Sequence, residues 1–271
     1  IWPFTSLGWI TMVVQRAEAS MSRINEFLNA ETDVEEKQLS DYNSGGACMK
    51  KIAAFFDIDG TFYRDSLMTE HFKKLIKYDI IDPLMWHAHA KEAFNDWDKR
   101  QGNYDDYLLE LAGVYIDTLT GVPRESIEFT SQNVIDQKSE RVYRYTRSRI
   151  KWHKESGHTV IFISGSPDYL VKRMAKKYNV TEYKATEYIF KDDIFTGRIV
   201  PMWDSKSKDK AIDYFVEKHD LDLSKSYAYG DTHGDFSMLK RVGYPIAINP
   251  AKELLNDIKN DEDLRKRAEI I

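Results

Sequence analysis

The sequence predicts an α/β protein: a three-layer sandwich on a parallel sheet, with a helical cap domain inserted after the first strand. Three observations carry this. Short runs of apolar and aromatic residues recur at 52–56, 159–163, 227–229 and 246–248, the pattern of strands covered on both faces. Amphipathic stretches stand between the later runs, and strand–helix alternation of this kind closes right-handed crossovers over a sheet. The block between the first two runs is too long for a connection, so it is expected to be a small domain of its own.

The elements follow in order. Ile52-Ala53-Ala54-Phe55-Phe56 is the first buried strand. Residues 67–152 are helical in character and form the expected cap, leaving 49–66 and 153–271 as the core. Thr159-Val160-Ile161-Phe162-Ile163 is the second strand, and Pro167 suits the first turn of the helix after it. From Lys184 to Val200 the pattern alternates around Asp193 and Gly197, which predicts a hairpin. A helix over about 208–218 leads to the strand Tyr227-Ala228-Tyr229. A short helix at 236–241, the strand Ile246-Ala247-Ile248 and a charged terminal helix complete the chain.

Composition narrows the function classes. The chain has 271 residues, and at about 150 per domain this allows one large domain or two small ones. Hydrophobic residues make up 42% and charged residues 31%, which excludes a disordered or low-complexity chain. The net charge of −5 argues against broad nucleic-acid binding. Cys48 is the one cysteine, so neither an intrachain disulfide nor a cysteine-cluster zinc site can form, and a reducing, cytoplasmic setting is expected. Residues 1–14 are apolar but fall short of the about 20 needed to span a bilayer, so no stable membrane insertion is expected.

Ligands of open α/β sheets bind beyond the carboxyl ends of the strands. Asp57-Ile58-Asp59-Gly60-Thr61, Ser164-Gly165-Ser166-Pro167 and Gly230-Asp231-Thr232-His233-Gly234-Asp235 all stand there, and Lys208 lies in the helix feeding the third of these strands. Singly, each has a plain structural reading as a turn, a cap or a surface lysine. Together, each following or feeding a buried strand, they bring four carboxylates, a hydroxyl and an ammonium group toward one crevice.

On these motifs residues 49–271 resemble haloacid-dehalogenase-superfamily phosphatases, in particular the branch containing phosphoserine phosphatases. Asp57-x-Asp59-Gly60-Thr61 matches the first motif, Ser164-Gly165 the second and Gly230-Asp231-x-x-x-Asp235 the fourth. Lys206, Lys208 and Lys210 compete for the third, and the Ala211-Ile212 that follows favours Lys208. The resemblance implies a Rossmann-like sandwich and hydrolysis of a small-molecule phosphate ester through an aspartyl-phosphate. Asp57 would be the nucleophile and Asp59 the acid and base. Ser164, Gly165 and Lys208 would hold the phosphate. Mg²⁺ would be bound by Asp57, Asp231 and the backbone carbonyl of Asp59, with Asp235 orienting its surroundings. The charges make sense of this: four aspartates and a phosphate dianion bring about −6, and only a metal ion, Lys208 and a proton on Asp59 can offset them.

One position departs from the pattern. Phosphoserine phosphatases carry a glutamate nine residues after the nucleophile to hold the substrate's ammonium group, and here that position is Ser66. A different phosphate ester is therefore expected, with Arg64 and Ser66 as candidate specificity residues and Arg64 favouring a second anionic group. Phosphoserine itself remains an alternative, as does a receiver-like phosphate-sensing module, although such a module needs neither Asp59 nor the large insertion.

Other features read as structural. His87-x-His89 puts two imidazoles on different helix faces, which suits no metal. His233 reads as an exposed loop histidine, with contact to substrate as the alternative since it lies inside the fourth motif, and Arg141, Arg144 and Arg147 as a solvated face or a cap–core hinge. Trp86, Trp97, Tyr104, Tyr107 and Tyr115 would supply the cap's own core. Residues 1–48 are a separate text. Within them, Gln15-Arg16-Ala17-x-Ala19-Ser20-x-x-Arg23-Ile24-x-Glu26-Phe27-Leu28 resembles the end of the last membrane helix of ABC exporters, yet no phosphate loop follows. The run ends in the linker Ser44-Gly45-Gly46, so 1–48 is expected to be an appendage and Met49 the start of a unit that folds without it.

Overall fold

The computed structural model describes residues 50–82, 84 and 104–271. The chain divides into two units, Ile1–Cys48 and Met49–Ile271, and the described residues all belong to the second. The expected helix and linker within 1–48, together with Trp86, His87, His89, Trp97 and the side chains of Tyr104 and Tyr107, lie outside the described residues.

Seven strands form one sheet: β1 (Ala53–Phe56), β2 (Thr159–Pro167), β3 (Glu182–Lys191), β4 (Ile194–Val200), β5 (Tyr227–Gly230), β6 (Tyr244–Ala247) and β7 (Glu269–Ile270). They lie in the order β4-β3-β2-β1-β5-β6-β7. Every pair is parallel except β3 with β4. The helices are α1 (Leu67–Lys77), α2 (Tyr104–Leu119), α3 (Arg124–Lys138), α4 (Arg144–Glu155), α5 (Asp168–Lys177), α6 (Ser205–His219), α7 (Phe236–Arg241), α8 (Lys252–Asn260) and α9 (Glu262–Arg267).

The alternation of side chains along each strand builds the three layers. Ala54 and Phe56 point to one face, where they join Phe162, Tyr229, and Leu170 and Met174 of α5. Ala53 and Phe55 point to the other, with Ile161, Ala228, and Ile212 and Phe215 of α6. All four β1 side chains are fully buried, as a central strand with helices on both sides requires. Each phenylalanine so buried contributes about 1.5–3 kcal/mol. The Phe56 ring also stacks on Tyr229 at 4.1 Å between centroids.

The hairpin turns at Asp192 and Asp193, with φ of 49° and 57°. Two consecutive left-handed residues make the turn whose twist matches paired strands, and aspartate tolerates that region. The tip of the hairpin also holds the insertion. Gly121 N–H donates to the Phe195 carbonyl at 3.0 Å, Phe195 N–H to that of Val122 at 3.1 Å, and Arg124 N–H to that of Asp193 at 2.7 Å. The α2–α3 connection is thereby stitched to an edge of the core.

The structure corrects one boundary. The expected cap range of 67–152 takes in most of α4, but α4 packs on the sheet. Its His153 meets Phe56 edge-on at 5.9 Å and accepts or donates at 2.8 Å with the Tyr229 hydroxyl, and Ile150 is buried in the same layer. Helical periodicity marks which side of α4 is apolar, and says nothing of which layer will cover it.

A buried polar chain ties the inserted helices to α5. Thr130 and Ser131 donate their hydroxyl protons to carbonyls of their own helix, Thr130 to Ser126 at 2.8 Å and Ser131 to Ile127 at 2.6 Å. His71 Nε2 must then donate to Thr130 Oγ1 at 2.7 Å, and Nδ1 accepts from the Tyr115 hydroxyl at 2.5 Å. Tyr115 in turn accepts from Tyr169 at 2.7 Å. Burial lowers the His71 pKa to about 3 from 6.5. The unfolded chain therefore takes up a proton first as pH falls, so this contribution to stability is intact above about 6.5 and is lost toward about 3. Two units of difference at pH 4.5 correspond to about 2–3 kcal/mol. Urea titrations at pH 7 and 4.5 should show the parent losing more stability than His71→Gln, whose amide keeps a donor and an acceptor but does not titrate. Equal losses would remove His71 as the cause.

Candidate active site

β1 ends at Phe56, and Asp57 follows with its N–H donating to the Tyr229 carbonyl on β5 at 2.9 Å. The side chain projects from the carboxyl edge of the sheet yet is only 6% exposed. Lys208 Nζ, itself 2% exposed in the first turn of α6, donates to Asp57 Oδ1 at 2.7 Å and to Asp235 Oδ1 at 2.6 Å. Of the three lysines that compete in sequence, Lys208 alone is buried among these carboxylates, while Lys206 and Lys210 are exposed. Asp204 caps α6 by accepting from Ser207 N–H at 2.9 Å, which sets where that first turn begins.

Asp231 opens the loop that follows β5 and accepts from Thr61 Oγ1 at 2.6 Å. Gly60 of the first motif has φ +84°, and a Cβ there would lie 2.0 Å from Asp231 Oδ2. Only glycine meets both demands. Asp235 Oδ2 accepts from the N–H of Asp231 at 3.0 Å and of Thr232 at 3.1 Å, so with Lys208 on Oδ1 both of its oxygens are engaged. Carboxylate oxygens of Asp57, Asp231 and Asp235 come within 4.8 Å of one another.

Asp59 turns its carboxylate elsewhere. Oδ1 accepts from Leu67 N–H at 2.8 Å and Oδ2 from the Ser166 hydroxyl. Ser164 is fully buried, and its Oγ accepts from Ser166 N–H at 3.1 Å, while its own proton has no acceptor among the described residues. Gly165 and Ser166 line the cavity above it.

Burial governs the electrostatics. It pushes Asp57 up to about 8 against the pull of Lys208, and Asp59 up to about 6 against its two donors. Asp231 is also held well above the carboxylate range, by burial and then by Asp57 and Asp235. For Lys208 burial works against the charge, but Asp235 and Asp57 outweigh it and raise its pKa. One ammonium among three buried carboxylates and the partly buried Asp59 leaves an anionic surplus that asks for protons or a cation.

The remaining sequence candidates fall on either side of the cavity wall. Ser66 lines the cavity, but its Oγ is the cap of α1, accepting from Thr69 N–H at 3.3 Å. Arg64 does not line it: its guanidinium is exposed and lies over the Tyr143 ring, 5.6 Å from the centroid. The Arg64 N–H donates to the Arg141 carbonyl at 2.9 Å, which sets this residue outside the cavity wall although Phe62 and Tyr63 before it are buried. His233 lines the cavity and is held at 2.5 Å by Asp257. Arg141 and Arg147 are exposed and meet Asp65 and Glu140, a solvated face. Sequence reasoning named Thr61 and Ser166 within their motifs without giving them a role, and passed over Trp203, which lines the cavity just before the cap of α6. Only its place beside Asp204 and Lys208 could have singled out Trp203.

No helix among the described residues is long and apolar enough to cross a membrane. A protein of Streptomyces azureus named for inhibition of morphological differentiation is 27% identical over 212 residues, spanning 76% of this chain and 74% of that protein. A Mycobacterium tuberculosis protein named as a phosphoserine phosphatase is 26% identical over 229 residues, spanning 80% and 73%. A Bordetella pertussis protein of unknown function shares the fold with a TM-score of 0.66 at 17% identity, over 82% of this chain and 99% of that one. The family model for haloacid dehalogenase-like hydrolases matches residues 54–240, a span that runs from β1 through α7 and includes every carboxylate of the cluster. The chain belongs to the haloacid dehalogenase-like hydrolase family.

Proposed function

We propose that this protein hydrolyses small-molecule phosphate monoesters, with Mg²⁺, through an aspartyl-phosphate on Asp57. The observation that carries the reading is the Asp57 carboxylate at the end of β1, buried against Lys208 at 2.7 Å with Asp59 two residues on. The phosphatase name of the M. tuberculosis relative supports the same chemistry.

The donors suit Mg²⁺, which takes hard oxygens in a compact shell. Asp57 and Asp231 would hold it with the Asp59 carbonyl. Asp235 has both oxygens occupied by donors, so it would orient Lys208 and the loop. When bound, the ion supplies positive charge against the phosphoryl oxygens. The protein's own groups do the rest. Lys208, the Gly165 N–H and the free proton of Ser164 would hold the phosphate. An Asp57 oxygen attacks phosphorus, the bond to the ester oxygen breaks, and the Asp59 carboxyl gives its proton to the leaving alkoxide. Water then attacks phosphorus, Asp59 takes the water's proton, and the bond to Asp57 breaks to release phosphate. A pKa of about 6 for Asp59 suits both directions of transfer near neutrality.

Phosphate release from a panel of metabolite monoesters, with Mg²⁺ and with chelator, tests the reading. Release that requires Mg²⁺ is expected. Release from no ester, or release that survives exhaustive chelation, would overturn it.

A further inference from the structure

The catalytic motifs touch only the phosphoryl group, so the choice among esters falls to whatever surrounds the leaving group. A cavity of about 430 Å³ reaches Asp57 and Lys208. Its side nearest the inserted helices is formed by Met68 of α1 and by Leu109 and Ala112 of α2, and Trp203 faces it from the core. From these four side chains we propose that the enzyme selects monoesters of apolar alcohols, alkyl or aryl, over those of amino acids. The proposal rests on the phosphatase reading above.

Leu109 is the least satisfied of the four. It is 49% exposed although Leu111 and Ala112 beside it are buried, and the surface it leaves uncovered borders the cavity. An apolar leaving group would cover it, with a gain that scales with the area removed from water. The Trp203 segment packs closely on two motif loops. A Cβ on Gly165 would lie 3.0 Å from the Trp203 Cβ, and a Cβ on Gly234 would lie 2.4 Å from the Trp203 carbonyl oxygen. Two glycines, one from each of two motif loops, thus let this segment lie directly on the phosphate site.

The polar side chains around the leaving-group space are largely spoken for. Ser66 Oγ caps α1, Asp204 Oδ1 caps α6, His233 Nδ1 is on Asp257, and Ser205 donates to the His233 carbonyl at 3.0 Å. Lys206 is exposed at the rim, where water solvates it. An amino-acid leaving group that lay against Met68, Leu109 and Ala112 would set an ammonium and a carboxylate on an apolar wall, and stripping water from charges without pairing them is unfavourable.

The test is a homologous series on the full-length chain with Mg²⁺: methyl, butyl and hexyl phosphate, with phosphoserine beside them. For the parent, kcat/KM should rise about fourfold per methylene, so about fifteenfold from butyl to hexyl. Phosphoserine should fall below butyl phosphate. Leu109→Asp should flatten the series, and Leu109→Met should restore most of the slope. Since Leu109 is half exposed, neither variant threatens the fold. A flat series, a slope that survives Leu109→Asp, or phosphoserine as the fastest substrate would overturn the proposal and leave the phosphatase reading standing. Release from no member of the series would overturn both.

Discussion

Asp57→Asn should leave the protein folded and lower turnover by about 10⁴-fold or more, the scale on which loss of a covalent nucleophile is felt. The amide has the carboxylate's shape, and its oxygen can still accept from Lys208, now at 2.7 Å on Oδ1. Lys208 also keeps Asp235 at 2.6 Å, so the substitution does not leave a buried ammonium without a counter-charge. Removing one anion from a cluster in which burial and like charges already raise Asp57 and Asp231 should cost the fold little. What is lost is the chemistry, because an amide oxygen is a poor nucleophile toward phosphorus and cannot carry the phosphoryl group as a stable acyl phosphate. Steady-state phosphate release on the preferred ester, with thermal melting as the control for folding, checks this. A rate within about tenfold of the parent would remove Asp57 from the role.

The second large effect is expected at Asp231. Its carboxylate sits within 4.8 Å of those of Asp57 and Asp235, in a cluster with too few positive charges of its own. A cation that binds the native cluster and not the unfolded chain stabilises by mass action, about 2.7 kcal/mol at 100 times its Kd. For a domain of this size that is a rise in Tm of about 5–10 °C. Added Mg²⁺ should produce such a rise in the parent and little or none in Asp231→Ala. Turnover of the variant at fixed Mg²⁺ should fall at least about 100-fold, since even partners one layer outside a metal's ligands are worth 10–100-fold. Melting read without substrate separates ion binding from catalysis. A full Mg²⁺ shift in Asp231→Ala would place the ion elsewhere.

Much of the fold was legible because its signals are local. Ala53–Phe56 and Thr159–Ile163 read as buried strands since side-chain alternation with both faces covered leaves no polar position. The hairpin around Asp193 was legible because a tight turn needs residues that tolerate positive φ. Helix boundaries were looser. α6 begins at Ser205, three residues before Lys208, because Asp204 and not the lysine supplies the cap.

By itself the sequence determined the strand cores, the order of the motifs and their place at the carboxyl edge, all of which follow from patterns a few residues long. Only the tertiary structure decided which of three lysines is buried, since all three share a short stretch of α6 and just one faces Asp57 and Asp235. It turned the Asp59 carboxylate to Ser166, kept Arg64 out of the cavity, assigned α4 to the sheet, and laid Trp203 across Gly165 and Gly234. Each of these depends on contacts between segments tens to more than a hundred residues apart. Such contacts are set by how whole layers pack, and local periodicity carries no record of the partner that a face will meet.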